Sequence, residues 1–152
     1  MHEDETRPDW AEMMDGMQQV RLFAGLLVRR GGKGGLSAQE TDLLYRLAMS
    51  DGELTAGELC QGILADKSVV SRLVERLAVR GLLERAHSVG DRRRVPLRIT
   101  ERGREELNAT CAYYLEPIYA LRRAVGTEDF DRLMDRVAQA NSCMMAKEEV
   151  RI

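Results

Sequence analysis

A mainly α-helical fold with a small β-hairpin is predicted, on three observations. Apolar residues recur at helical spacing along most of the chain, serine and threonine capping boxes mark helix starts, and after Gly81 the pattern changes to strand-like alternation. The 152 residues, 44% hydrophobic and 32% charged, amount to one ordinary domain with a core of its own. No apolar run reaches the roughly 18 residues that a membrane span needs. The opening MHEDETRPDW is acidic and lacks the apolar stretch of a secretory signal, so the cytoplasm is the expected location.

The elements follow in order. From about Asp9 to Arg30, residues Trp10, Met13, Met14, Met17, Val20, Phe23, Ala24 and Leu27 form the stripe of a long amphipathic helix. Gly31 to Gly35 then reads as a linker; it lacks the spacing of a phosphate-binding loop and follows a helix instead of a strand. Ser37-Ala38-Gln39-Glu40 is a capping box, with Leu43, Leu44, Leu47 and Ala48 behind it and Ser50-Asp51-Gly52 as the stop. Thr55-Ala56-Gly57-Glu58 opens a short helix to about Leu64. Asp66 is placed to cap a third segment, Lys67 to Arg80, in which Val70, Leu73, Val74 and Leu77 face inward and Gly81 ends the helix. Val95, Leu97 and Ile99 then alternate, and Leu83 to His87 can pair with them; Pro96 confines one strand to an edge. Ser88 to Arg94 is a polar loop between the two strands. Thr100 caps a further helix to about Glu116, where Pro117 forces a kink or break. A final helix begins at Thr127, with the stripe Phe130, Leu133, Met134, Val137, Ala138, Met144 and Met145.

Charge is strongly segregated. The chain carries a net −2, yet Lys67 to Arg104 holds eleven Lys/Arg against four Asp/Glu, a net of +7 that leaves −9 elsewhere. A basic centre with acidic flanks suits a polyanion on one face. Short helix, turn, helix and a hairpin with a basic tip together make a winged helix-turn-helix. A helix fits the major groove of DNA, and the exposed residues near its start meet base edges and phosphates. Here those are Lys67, Ser68, Ser71, Arg72 and Arg76. The tip offers Arg92, Arg93 and Arg94 to the minor groove or to phosphates. Asp91 would shape the loop by pairing with an arginine.

Beyond this reading, the residues resemble the MarR family of regulators. The resemblance rests on Glu58-Leu59, Asp66 to Leu77, Gly81 to Arg85, Asp91-Arg92-Arg93 and Leu97 to Gly103. It spans about residues 55–107, and the flanking helices agree only in order. It implies a homodimer in which the first and last two helices interlock, and an effector felt between the dimer and DNA-binding parts. The expected division is therefore 1–35 for the first dimerisation helix and linker, 36–100 for the winged DNA-binding domain and 101–152 for the last dimerisation helices. One departure from the family is local: where a turn glycine is common, this chain has Leu64, with Gly62 two residues earlier.

The expected function is a sequence-specific DNA-binding regulator, a ligand-responsive repressor on a pseudo-palindromic operator, with double-stranded DNA and a second copy as partners. The methionines of the terminal helices read first as a dimer seam. They also suit a pocket for a small apolar or aromatic effector. Two alternatives stand beside this: a winged-helix module for an acidic protein partner, and a redox sensor working through Cys60, Cys111 or Cys143. Cys60 reads as a small buried hydrophobe. The three cysteines lie 51 and 32 residues apart, and with only His2 and His87 no metal-ligand spacing arises, so no cofactor is expected. No nucleophile–base pair or phosphate loop is present, and an enzyme is not expected.

Overall fold

The computed structural model describes residues 9–28, 35–50, 53–86 and 95–149. Its order is α1 (Asp9–Leu27), α2 (Ala38–Met49), α3 (Ala56–Ile63), α4 (Lys67–Val79), β1 (Leu83–Arg85), β2 (Leu97–Ile99), α5 (Glu101–Tyr114), α6 (Glu116–Val125) and α7 (Thr127–Glu149). The mainly helical, winged helix-turn-helix expectation is met. Two compact units result, residues 28–114 and the pairing of 1–27 with 115–152.

The first unit is built around leucine. Leu43, Leu44 and Leu47 of α2, Leu59 of α3, and Val70, Leu73, Val74 and Leu77 of α4 share one core with Leu83, Leu97, Ile99 and Leu107. Leu107 brings α5 into this unit, where it packs on α2. Both capping boxes form as their sequences require. Ser37 Oγ accepts from Glu40 N while Glu40 Oε2 accepts from Ser37 N at 2.8 Å, and Thr55 and Glu58 repeat the exchange. Asp66 stands at the N-cap of α4, but its side chain makes no capping bond, which corrects that expectation.

The end of α4 is a Schellman motif. Gly81 at φ +71° lets its own N–H reach Ala78 O at 2.9 Å and the Leu82 N–H reach Leu77 O at 2.9 Å. Leu82 is thereby buried against the core. Next to it, Thr100 Oγ1 donates to Gly81 O at 2.6 Å and accepts from Gly103 N at 3.0 Å, capping α5 and tying it to this turn. Gly103 sits so close that a Cβ there would lie 2.0 Å from Leu82 O. The Thr-x-x-Gly spacing is thus a cap plus a close backbone approach.

The hairpin pairs antiparallel in the register Leu83↔Ile99, Glu84↔Arg98 and Arg85↔Leu97. It is shorter than Leu83–His87 against Val95–Ile99. Leu97 and Ile99 are buried, whereas Val95 lies outside the ladder and is exposed. The alternation missed a third partner: Leu54 and Leu97 exchange backbone bonds of 3.2 and 2.8 Å on the other side of β2. Pro96 precedes that ladder and only accepts, from Ala86 N.

In the other unit, α6 packs on both α1 and α7. Pro117 sits in the first turn of α6, so the expected break falls after Tyr114. Phe130 lies beneath the Arg122 guanidinium, 5.8 Å from its ring centre. Most of the apolar stripe of α1 is uncovered: Trp10, Met13, Met14, Met17 and Val20 are exposed, as are Met144 and Met145 of α7.

Candidate nucleic-acid interface

Helix α4 divides into two faces. Val70, Leu73, Val74 and Leu77 are buried, while Lys67, Ser68, Ser71, Arg72 and Arg76 are all exposed. The spacing of the buried residues forces the second set outward, since positions three and four apart share a side of a helix. All five predicted residues are therefore exposed, with Lys67 and Ser71 on the flank toward α3 and the hairpin and Arg72 and Arg76 on the flank toward α2. Arg72 leans back along the helix, its Nε 3.4 Å from Ser68 O. Lys67 and Ser71 border a groove of about 860 Å³ between α3, α4 and the hairpin; Thr55, Gln61, Glu75, Arg85 and Val95 also line it.

The other half of the expected interface, Asp91, Arg92, Arg93 and Arg94, lies outside the described residues, as do His2, His87 and most of the glycine linker. The strands that carry the loop are pinned by charge. Arg98 pairs with Glu84 across the hairpin at 3.2 Å, and Arg85 of β1 pairs with Glu75 of α4 at 3.3 Å. The second contact links the hairpin to the helix, and together they take two arginines out of the free positive charge.

Arg76 is not simply solvated. Its Nε lies 3.6 Å from Glu40 Oε1, and Arg80 Nη1 lies 3.7 Å from Glu40 Oε2. The Glu40 side chain is only 8% exposed. Arg80 also meets Glu106 of α5 at 3.6 Å. The sequence marks Glu40 only as the last residue of a capping box. Nothing local ties it to arginines 36 and 40 positions later.

The turn between α3 and α4 resolves the missing glycine. Leu64 adopts the left-handed conformation itself, at φ 50° and ψ 47°, with its N–H donating to Cys60 O. It is the one non-glycine residue with positive φ among those described, and it is 84% exposed. Gly62 has a different task. A Cβ there would sit 2.7 Å from Arg46 Cδ, so the glycine makes room for the arginine of α2 to lie across α3.

The cysteines differ in setting. Cys60 is half-buried at the edge of the core and lines the groove, rather than being fully buried as expected. Burial pushes the Cys111 thiol up, opposite to what a reactive thiolate needs. Burial also raises the Tyr114 hydroxyl, helped by the charges of Asp42 and Cys111. Cys143 is exposed. No group of His, Cys, Asp and Glu suited to a metal occurs among the described residues. No helix among them is long and apolar enough to cross a membrane.

A two-faced helix after a short capped one, followed by a pinned hairpin, defines a winged helix-turn-helix protein. Residues 34–94 match the model of the MarR family. No curated protein matches the sequence. Among solved structures, a probable transcriptional regulator from Pseudomonas aeruginosa is 25% identical with a TM-score of 0.67, over 88% of this chain and 99% of that one. A cysteine-to-serine mutant of MarR from E. coli, complexed with operator DNA, is 16% identical with a TM-score of 0.72, over 88% and 99%. BpsR of Bordetella bronchiseptica, whose DNA binding is regulated by 6-hydroxynicotinic acid, is 16% identical with a TM-score of 0.70, over 86% and 98%. The winged segment is thus similar in sequence to the MarR family, and the chain shares the fold of these solved structures.

Proposed function

We propose that the protein is a cytoplasmic, sequence-specific transcriptional repressor that binds a pseudo-palindromic operator as a homodimer and responds to a small ligand. The observation that carries this is the outward set on α4: Lys67, Ser68, Ser71, Arg72 and Arg76 are all exposed, while Val70, Leu73, Val74 and Leu77 are buried. Placed in a major groove, that set would supply base and phosphate contacts. Arg92 to Arg94 would enter the minor groove or meet phosphates, with Asp91 shaping their loop. Residues 36–100 serve as the DNA-binding domain. Residues 1–35 and 101–152 would supply the dimer, with α5 also packed on the winged core, and the uncovered methionines of α1 and α7 offer an apolar seam for a second copy to bury. By analogy with BpsR, whose DNA binding is regulated by 6-hydroxynicotinic acid, the effector would be an aromatic carboxylate, and here it would weaken DNA binding.

Selection of tight binders from randomised duplex DNA, followed by titration at several salt concentrations, tests the reading. A recovered two-fold symmetric site with half-sites about 10 bp apart, or a multiple of that, is expected. Arg72→Ala should relax preference at one position per half-site, at roughly 1–3 kcal/mol. Arg93→Ala should weaken all duplexes alike and flatten the salt slope by about one per protomer. Binding without any sequence preference would instead favour an acidic protein as the partner.

A further inference from the structure

We infer that Glu40 is a positioning residue for DNA reading, holding Arg76 by one edge so that the rest of its guanidinium is presented outward from α4. This rests on the regulator reading above.

The two oxygens of Glu40 have separate tasks. Oε2 accepts from Ser37 N at 2.8 Å inside the capping box and faces Arg80 Nη1 at 3.7 Å. Oε1 faces Arg76 Nε at 3.6 Å. A capping glutamate normally stands on an exposed helix start, as Glu58 does on α3. Glu40 is instead nine-tenths buried, a placement that disfavours a carboxylate unless charged partners compensate. Here the partners are two arginines one turn apart on α4, which would otherwise repel each other. Arg80 is anchored on its far side by Glu106, so it is the structural member of the pair. Arg76 has no second anchor among the described residues, and its side chain is 61% exposed. With Nε turned toward Glu40, the donors on Nη1 and Nη2 remain for a ligand. A guanidinium can serve two acceptors at once because its donors form a rigid fork. Fixing the side chain in advance also removes ordering entropy that binding would otherwise have to overcome.

Charge alone predicts the opposite effect. A carboxylate beside a DNA-facing helix repels phosphate, so removing it should tighten every duplex without regard to sequence. The two accounts therefore separate by sign. Glu40→Gln keeps the size and the capping acceptor but loses the charge that holds Arg76. Operator and scrambled duplexes, the operator being the one selected from random DNA, are titrated with wild type, Glu40→Gln, Arg76→Ala and the double variant. Thermal unfolding is followed in parallel.

The expected result is a fall of roughly three- to tenfold in the operator-to-scrambled affinity ratio for Glu40→Gln. In the Arg76→Ala background the same change should leave the ratio where it is. Arg76→Lys, an exposed change, carries the test if Glu40→Gln does not fold. Its single ammonium cannot serve both Glu40 and DNA with a fork, so the ratio should fall by a similar factor. The inference is overturned if Glu40→Gln tightens both duplexes alike, if its effect persists without Arg76, or if Arg76→Lys keeps the full ratio. A wild-type protein that selects no preferred duplex overturns the regulator reading itself. That result is distinct from a discriminating wild type with an indifferent Glu40→Gln.

Discussion

Gly103→Ala should unfold much of the winged unit's advantage over the denatured chain, and the structure gives the size of the effect. A Cβ at position 103 would lie 2.0 Å from Leu82 O, 2.9 Å from Leu82 C and 2.8 Å from Ile99 Cγ1. Two of these three atoms are backbone, and Leu82 cannot retreat freely. Its N–H closes the Schellman motif on Leu77 O, and its carbonyl accepts from Thr100 N at 3.1 Å. Relief therefore requires moving α5 away from the turn, which opens the Thr100 bridge to Gly81 O as well. Overpacking typically costs about 1–3 kcal/mol. Loss of one or two hydrogen bonds adds about 1 kcal/mol each. Alanine's better helix propensity returns about 1 kcal/mol. The net is a loss of about 1–4 kcal/mol, a sizeable part of the roughly 5–15 kcal/mol that holds a domain folded. Urea titration followed by far-ultraviolet circular dichroism, at one fixed protein concentration, measures it. Gly16→Ala and Gly25→Ala in α1 are the controls, since nothing lies within 4 Å of a Cβ at either site. They should be neutral or stabilising by up to about 1 kcal/mol. A Gly103→Ala midpoint equal to those of the controls would refute the close-approach argument.

Three further outcomes are expected. Leu64→Gly should stabilise by about 0.5–1 kcal/mol, because relief of the left-handed conformation outweighs glycine's entropy and little buried surface is lost at an exposed residue; an unchanged or lower urea midpoint would contradict it. The raised Cys111 thiol holds its proton longer in the folded state, so its contribution is present below the unfolded value near 8.5 and declines as pH rises through the folded one. Cys111→Ser should therefore flatten the loss of stability on the alkaline side, and maleimide at neutral pH should label exposed Cys143 well before Cys111. Met13→Glu combined with Met17→Glu puts charges on the uncovered stripe of α1, and sedimentation should shift from dimer toward monomer while the helical spectrum persists. An unaltered sedimentation coefficient would place the seam elsewhere.

Local signals were legible in the sequence and distant pairings were not. The two capping boxes, the Gly81 stop and the Thr100 cap each declare themselves within four residues, because a backbone N–H near a helix end must find an acceptor close at hand. Buried positions of α4 follow from spacing alone, and so does its exposed set. Leu54 is different: one residue pairing with Leu97 has no period to reveal it. Leu64 in the left-handed region runs against its own preference, so only the closed turn between α3 and α4 could place it there. Gly62 carries no local signal of the arginine from α2 that lies over it. Glu40 was visible as a cap, while its second role depends on two arginines from another helix.

The same distinction governs the charge pattern. A net of +7 between Lys67 and Arg104 suggests a broad basic surface. The folded chain narrows it. Glu75 and Glu84 engage Arg85 and Arg98 within the segment, and Glu40 and Glu106 reach in from outside to Arg76 and Arg80. Of the described basic residues in that stretch, Lys67, Arg72, Arg102 and Arg104 carry no ion pair among the described residues. Among the described residues, the unpaired charge therefore lies in the first two turns of α4 and the first turn of α5. Among the paired arginines, Arg85 links the hairpin to α4, Arg98 pairs within the hairpin, Arg80 joins the end of α4 to α2 and α5, and Arg76 meets Glu40 while staying mostly exposed. Counting basic residues finds the segment, but only the ion pairs show which of its arginines still have donors to give.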